Sequence, residues 1–114
     1  RPARLPTFSF VTPNLCHAAH DCPIASADAW LAKFIKPLLS IKHTAIFIVF
    51  DEGNSNIGGG GQVALIAAGT AIKPHSQYNA STSHYGLLHT IEDALALPPI
   101  GNAAHAAPIT GIWR

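Results

Sequence analysis

The run Thr44-Ala45-Ile46-Phe47-Ile48-Val49-Phe50 most constrains what this chain can fold into. It is apolar on both faces and rich in β-branched residues, the pattern of a strand covered by helices on each side of a sheet. It is therefore the expected centre of the fold. It is also the longest uninterrupted apolar stretch, far short of the roughly 20 residues that span a bilayer, so no transmembrane segment is expected.

Other elements can be placed around it. Phe8, Phe10 and Val11 supply strand-forming bulk over Thr7 to Thr12, and Pro13 ends that run. A polar segment follows from Asn14 to Pro23. Ser26 can cap a helix over Ala27 to about Lys36, whose Trp30, Leu31, Phe34 and Ile35 recur at helical spacing before Pro37 kinks or stops it. Gly53 to Gly61, with five glycines, predicts a mobile loop rather than an element. Val63 to Ala68 reads as a further strand, ended by Gly69. The last clear element is a helix from about His84 to Leu97, stopped by Pro98-Pro99, and the tail from Ile100 is expected to be irregular.

Strand, helix, strand, strand, helix is the order of an α/β layered domain. The connection from Phe50 to Val63 holds no helix, so it can serve an antiparallel neighbour or a long loop crossover. A length of 114 residues supports one domain. With 48% hydrophobic and 11% charged residues the chain should fold, and a net charge of +1 leaves no field to hold a nucleic acid backbone. Arg1-Pro2-Ala3-Arg4-Leu5-Pro6 lacks the apolar centre of a secretory signal, so any export signal is expected to have been removed or to lie upstream.

Asp51-Glu52-Gly53 directly follows the central strand, at the carboxyl edge where α/β sheets bind ligands. Two unpaired carboxylates there repel each other and resist desolvation, and a bound divalent cation resolves the conflict. The ordinary alternative is an acidic pair that merely ends a strand in solvated loop. Asn14-Leu15-Cys16-His17-Ala18-Ala19-His20-Asp21-Cys22 is the second cluster. Cys16, His17, His20 and Cys22 could ligate zinc, but both cysteines fall in one short span, unlike the usual paired spacing. A Cys16–Cys22 disulfide, which implies an oxidising compartment, is the favoured reading. Histidine exchanges its proton near neutral pH, so His20, with His17 second, can protonate a leaving alkoxide. His84 opens the last helix, whose free N–H groups favour anions. Gly58 to Gly61 is not a phosphate loop, because no Lys-Ser/Thr follows, and no nucleophile elbow is present.

The succession FSFVTPNLCHAAHDC (Phe8 to Cys22), Asp28-Ala29-Trp30-Leu31, TAIFIVFDEG (Thr44 to Gly53) and HYGLLHTIEDALAL (His84 to Leu97) resembles the carboxyl-terminal part of the phosphoesterase family. That family contains bacterial acid phosphatases and phosphatidylcholine-type phospholipases C and is related to the alkaline phosphatase superfamily. The resemblance implies a partial three-layer α/β/α domain with a mainly parallel sheet, residues 1–114 forming the carboxyl-terminal segment of a phosphoesterase-like domain. It implies metal-dependent hydrolysis of a phosphate-ester substrate in a secreted or periplasmic enzyme, with Asp51 and Glu52 as ligands of a divalent metal ion. It further implies that His20, and more weakly His17, serves the phosphate or the leaving group, and that His84 lies near the substrate.

The family's amino-terminal part carries a Glu-Asn metal-binding pair and a Ser or Thr nucleophile, and this chain has neither. Ala27 and His75 stand where family members often show glycine. The chain is thus expected to be a fragment or truncated homologue, probing its substrate only beside the missing amino-terminal part of the same enzyme. A non-catalytic secreted α/β remnant with a binding role, or a small zinc-binding protein using the Cys/His cluster, are the alternatives.

Overall fold

The computed structural model describes residues 5–114. The reading of Arg1 to Arg4 as lacking a signal lies outside them. Residues cluster into two compact units, one reaching to Leu38 and one spanning Leu39–Arg114.

In the first unit, α1 spans Ile24–Ile35. It begins before the expected Ser26 cap because Pro23, at φ −57° and ψ 149°, sets the entry angle, and the Ser26 amide donates to the Pro23 carbonyl at 2.8 Å. No side chain caps the helix. It stops ahead of Pro37, as the missing N–H and ring clash require. Thr7 to Thr12 forms no strand. Its residues are irregular and exposed, Phe10 to 84%, because no described backbone supplies the ladder partner that a strand needs.

In the second unit, β1 (Ile46–Val49) and β2 (Leu65–Ala68) pair antiparallel, with Ile46 opposite Ala68 and Val49 opposite Leu65. The α/β class holds, and among the described residues the sheet is this one antiparallel pair; the mainly parallel three-layer arrangement is not seen there. The physical reason is the connection: a parallel neighbour needs a crossover, whereas the helix-free glycine segment simply turns the chain back. Gly69, at φ +104°, closes the far end of the pair, where a side chain would strike the Thr44 carbonyl. Thr70 Oγ1 donates to the Ile41 carbonyl at 2.6 Å and accepts the Thr44 amide at 3.2 Å.

Side chains alternate across a strand, so Ala45, Phe47, Leu65 and Ala67 turn to one face and pack on the buried cluster of Ile72, Leu87, Ile109 and Ile112. On the other face Ile46, Ile48 and Ala68 are half-buried and Ile66 is 55% exposed, so the expected two-sided burial is partial. Helix α2 spans His84–Ala94 and ends earlier than Leu97. Ala96 adopts φ +55°, and the Leu97 amide reaches back to the Glu92 carbonyl at 2.8 Å, a left-handed termination that precedes the two prolines.

The tail is more ordered than expected. Gly101–His105 forms a 3₁₀ helix, and Ile72 bridges Trp113. Ala103, Ile109 and Ile112 are among the five buried apolar residues of those described, so much of the core comes from this segment. Thr90 Oγ1 accepts the Ile109 amide at 2.8 Å, His89 Nδ1–H donates to the Ala106 carbonyl at 2.6 Å, and the Trp113 ring meets Phe47 edge-on. No described helix is long and apolar enough to cross a membrane.

Candidate functional site

In the second unit, Asp51 and Glu52 leave the end of β1 and are exposed. Asp51 Oδ1 accepts the Glu52 amide at 3.0 Å, which ties the two residues into one turn. The glycine segment folds back beside them: the Gly53 amide donates to the Gly60 carbonyl at 2.6 Å, and the Gly61 amide to that of Ile57 at 2.9 Å. Gly53 is needed for this approach, because a Cβ there would lie 2.6 Å from the Gln62 carbonyl oxygen.

His84 reaches this turn from the first residue of α2. Its Nε2–H donates to the Asp51 carbonyl at 2.7 Å, across 33 residues of sequence. A carbonyl only accepts, so in the neutral ring the proton sits on Nε2 and Nδ1 keeps its lone pair. The acidic turn and the first residue of α2 are therefore joined by this hydrogen bond. Among the described residues neither carboxylate has a cationic partner within ion-pairing distance. Two oxygen-bearing side chains without competing cations suit a hard divalent ion, which takes six or more oxygens. They supply only part of such a shell: no group of three or more His, Cys, Asp or Glu is poised around a metal among the described residues.

In the first unit, Cys16 and Cys22 form a disulfide with Cα atoms 4.6 Å apart. Both sulfurs are consumed, which overturns the Cys/His zinc reading, since a disulfide offers no thiolate to a metal. Inside the bridged loop the Ala18 amide donates to the Asn14 carbonyl at 2.8 Å, and Asn14 Oδ1 accepts the His17 amide at 2.9 Å. His17 is half-buried and stacks on Trp30, ring centroids 5.4 Å apart, and Trp30 stacks in turn on Phe34. His20 differs. Its side chain is 72% exposed, and its Nδ1–H donates to Asp21 Oδ1 at 2.7 Å.

Two shallow cavities lie elsewhere in the second unit. One, of about 230 Å³, is lined by Ser81, Thr82, Ser83, Gly86, Ala106 and Ala107 at the start of α2; the other, of about 260 Å³, includes Lys73, His75 and Arg114. Neither contains Asp51 or Glu52, so the acidic turn is an open surface. Glu92, which the resemblance implies to be structural, is buried, with Oε1 accepting the Ile100 amide at 3.3 Å and Oε2 unpartnered.

The phosphoesterase family model matches residues 1–98. A phosphatidylinositol-3-phosphatase of Mycobacterium tuberculosis is 35% identical over 112 residues, which are 96% of this chain and 36% of that protein. A phosphate-repressible acid phosphatase of Penicillium chrysogenum is 30% identical over 85% of this chain and 25% of its own length. An acid phosphatase of Aspergillus niger is 32% identical over 86% of this chain and 25% of its own. The chain thus spans between a quarter and about a third of these relatives. No solved structure matches it.

Proposed function

The chain belongs to the phosphoesterase family, and from that premise we propose that it is a segment of a metal-dependent phosphoric-ester hydrolase of the acid phosphatase or phospholipase C type. One observation carries the reading: two adjacent exposed carboxylates close β1 without a cationic partner among the described residues, in a turn that His84 fastens to α2. Adjacent like charges destabilise each other unless a cation joins them. Asp51 and Glu52 would hold a divalent metal ion, which when bound would neutralise charge on the phosphoryl oxygens and activate the nucleophile.

Two histidines of this chain would assist. His20 is open to solvent at Nε2 and held at Nδ1, so it can carry the proton needed by a departing alcohol. His84 orients the Asp51 backbone and leaves Nδ1 for a substrate group. The nucleophile and further metal ligands would come from the missing amino-terminal part of the same enzyme. The exposed Ile66 of β2 and the exposed segment from Phe8 to Val11 would be covered in a larger, mainly parallel three-layer α/β/α domain. Relatives named as a phosphatidylinositol-3-phosphatase and as acid phosphatases support a phosphate-ester substrate. The disulfide supports a secreted or periplasmic location.

The test is p-nitrophenyl phosphate hydrolysis by the protein with its full upstream reading frame, with and without chelator, for wild type, Asp51→Asn and Glu52→Gln. Each variant should lose on the order of a hundredfold in kcat/KM, as should the chelated enzyme until a divalent ion is restored. Unchanged turnover in both variants and in chelator would remove the acidic pair from the mechanism.

A further inference from the structure

The His20 imidazole is anchored by the next residue in the chain. Its Nδ1 lies 2.7 Å from Asp21 Oδ1, and the two side chains are 72% and 56% exposed. An exposed ion pair of this kind contributes little to stability. The backbone around it is nevertheless unusually well held for a surface loop. The amides of His20 and Asp21 both donate to the Leu15 carbonyl, at 2.9 and 3.2 Å, so the peptide linking them is fixed from one point. Ala19 turns the chain into that peptide at φ +61°, and the Cys16–Cys22 bridge closes the loop on both sides. Such restraint has little use for a solvated pair; it suits a proton-transfer group that must meet its partner in one orientation.

We propose that Asp21 is the positioning residue of His20: its carboxylate keeps the Nδ1 proton in place, aims Nε2 outward and stabilises the imidazolium that protonates the leaving alcohol. The proposal rests on the reading of His20 as the proton donor. The nucleophile supplied by the rest of the enzyme forms its bond to phosphorus as the ester P–O bond breaks, and the departing oxygen keeps the electron pair of that bond and takes the Nε2 proton. The ring is left neutral, with Nδ1–H still donated to Asp21. Water then attacks the phosphorus, the bond from phosphorus to the nucleophile breaks with its electron pair returning to the nucleophile, and one proton of that water passes to Nε2, so the ring ends as it began.

The experiment measures kcat/KM for the full encoded protein on phenyl phosphates graded from 2,4-dinitrophenyl, whose anion departs unaided, to phenyl, whose anion needs a proton. His20→Ala, Asp21→Asn and Asp21→Ala are compared with wild type. On phenyl phosphate Asp21→Asn and Asp21→Ala should lose on the order of tenfold to a hundredfold, and on 2,4-dinitrophenyl phosphate less than about threefold, with His20→Ala steeper still. The ratio between the two substrates is independent of how much of a preparation is folded. An equal loss on both substrates in the Asp21 variants makes Asp21 merely structural and overturns the proposal, as does no loss beside a steep His20→Ala. A His20→Ala variant with wild-type values on both substrates removes the proton-donor reading itself, and the proposal with it.

Discussion

Replacing Thr90 by valine tests how the carboxyl-terminal tail is held to the helix that carries His84. Thr90 is 2% exposed; its Oγ1 donates to the Gly86 carbonyl at 2.6 Å and accepts the Ile109 amide at 2.8 Å. Valine keeps the branched shape and abolishes both bonds. The Ile109 amide, on a residue 4% exposed, is then a buried donor without its acceptor. Orphaning such a group costs about 1–3 kcal/mol. The methyl that replaces the hydroxyl offsets at most about 0.8 kcal/mol, the value of one buried methylene. A net loss of about 1–2 kcal/mol follows. Thr90→Ser is the control, since it keeps the hydroxyl and gives up a methyl, at about 0.5–1.5 kcal/mol by analogy with Ile→Val. Global stability alone separates the two poorly. Urea denaturation of the intact protein is therefore paired with amide hydrogen exchange at Ile109. The amide should exchange about tenfold faster in Thr90→Val, the factor that corresponds to about 1.4 kcal/mol, and less so in Thr90→Ser. Wild-type protection at Ile109 in the valine variant would refute the reasoning.

Three further expectations follow from the same geometry. His17→Ala should lower the unfolding midpoint by loss of a stack worth about 0.5–1.5 kcal/mol, whereas His17→Phe preserves a flat ring against Trp30 and should stay closer to wild type; equal midpoints for wild type and His17→Ala would count against the stack. Gly53→Ala places a Cβ 2.6 Å from the Gln62 carbonyl oxygen and should cost about 1–3 kcal/mol while loosening the Gly53 amide from Gly60, read by exchange at Gly53; unchanged protection there would count against the close approach. Replacing Cys16 and Cys22 together by serine opens a loop with a sequence separation of 6, and the unfolded state then gains entropy equivalent to about 2 kcal/mol. Thermal melts of the double variant that coincide with wild type would show that the bridge does not stabilise the loop.

The elements that could be placed from the sequence are those whose causes are local. The period of Trp30, Leu31, Phe34 and Ile35 marks α1, and Pro37 ends it within a residue or two. The run through Ile48 marks β1, and His84 opens α2 where expected. The acidic turn was legible for the same reason, being a charged doublet against an apolar run. The segment Thr7 to Thr12 shows the limit. Its propensity favours a strand, yet a strand exists only with a partner, and none of the described residues provides one. The tail shows the converse, since Ile109 and Ile112 carry no period yet are buried, through contacts with residues far off in the chain.

By itself the sequence determined α1, α2, the β1 and β2 segments, the acidic doublet and the family, because spacing, steric breakers and residue chemistry act over a few neighbouring positions. Only the tertiary structure decided that β2 returns antiparallel to β1, that the tail completes the core, that the two cysteines are bridged and that His84 meets the Asp51 carbonyl. Each of these is a contact between groups that the chain order does not bring together, and its free energy exists only once the intervening segments have closed.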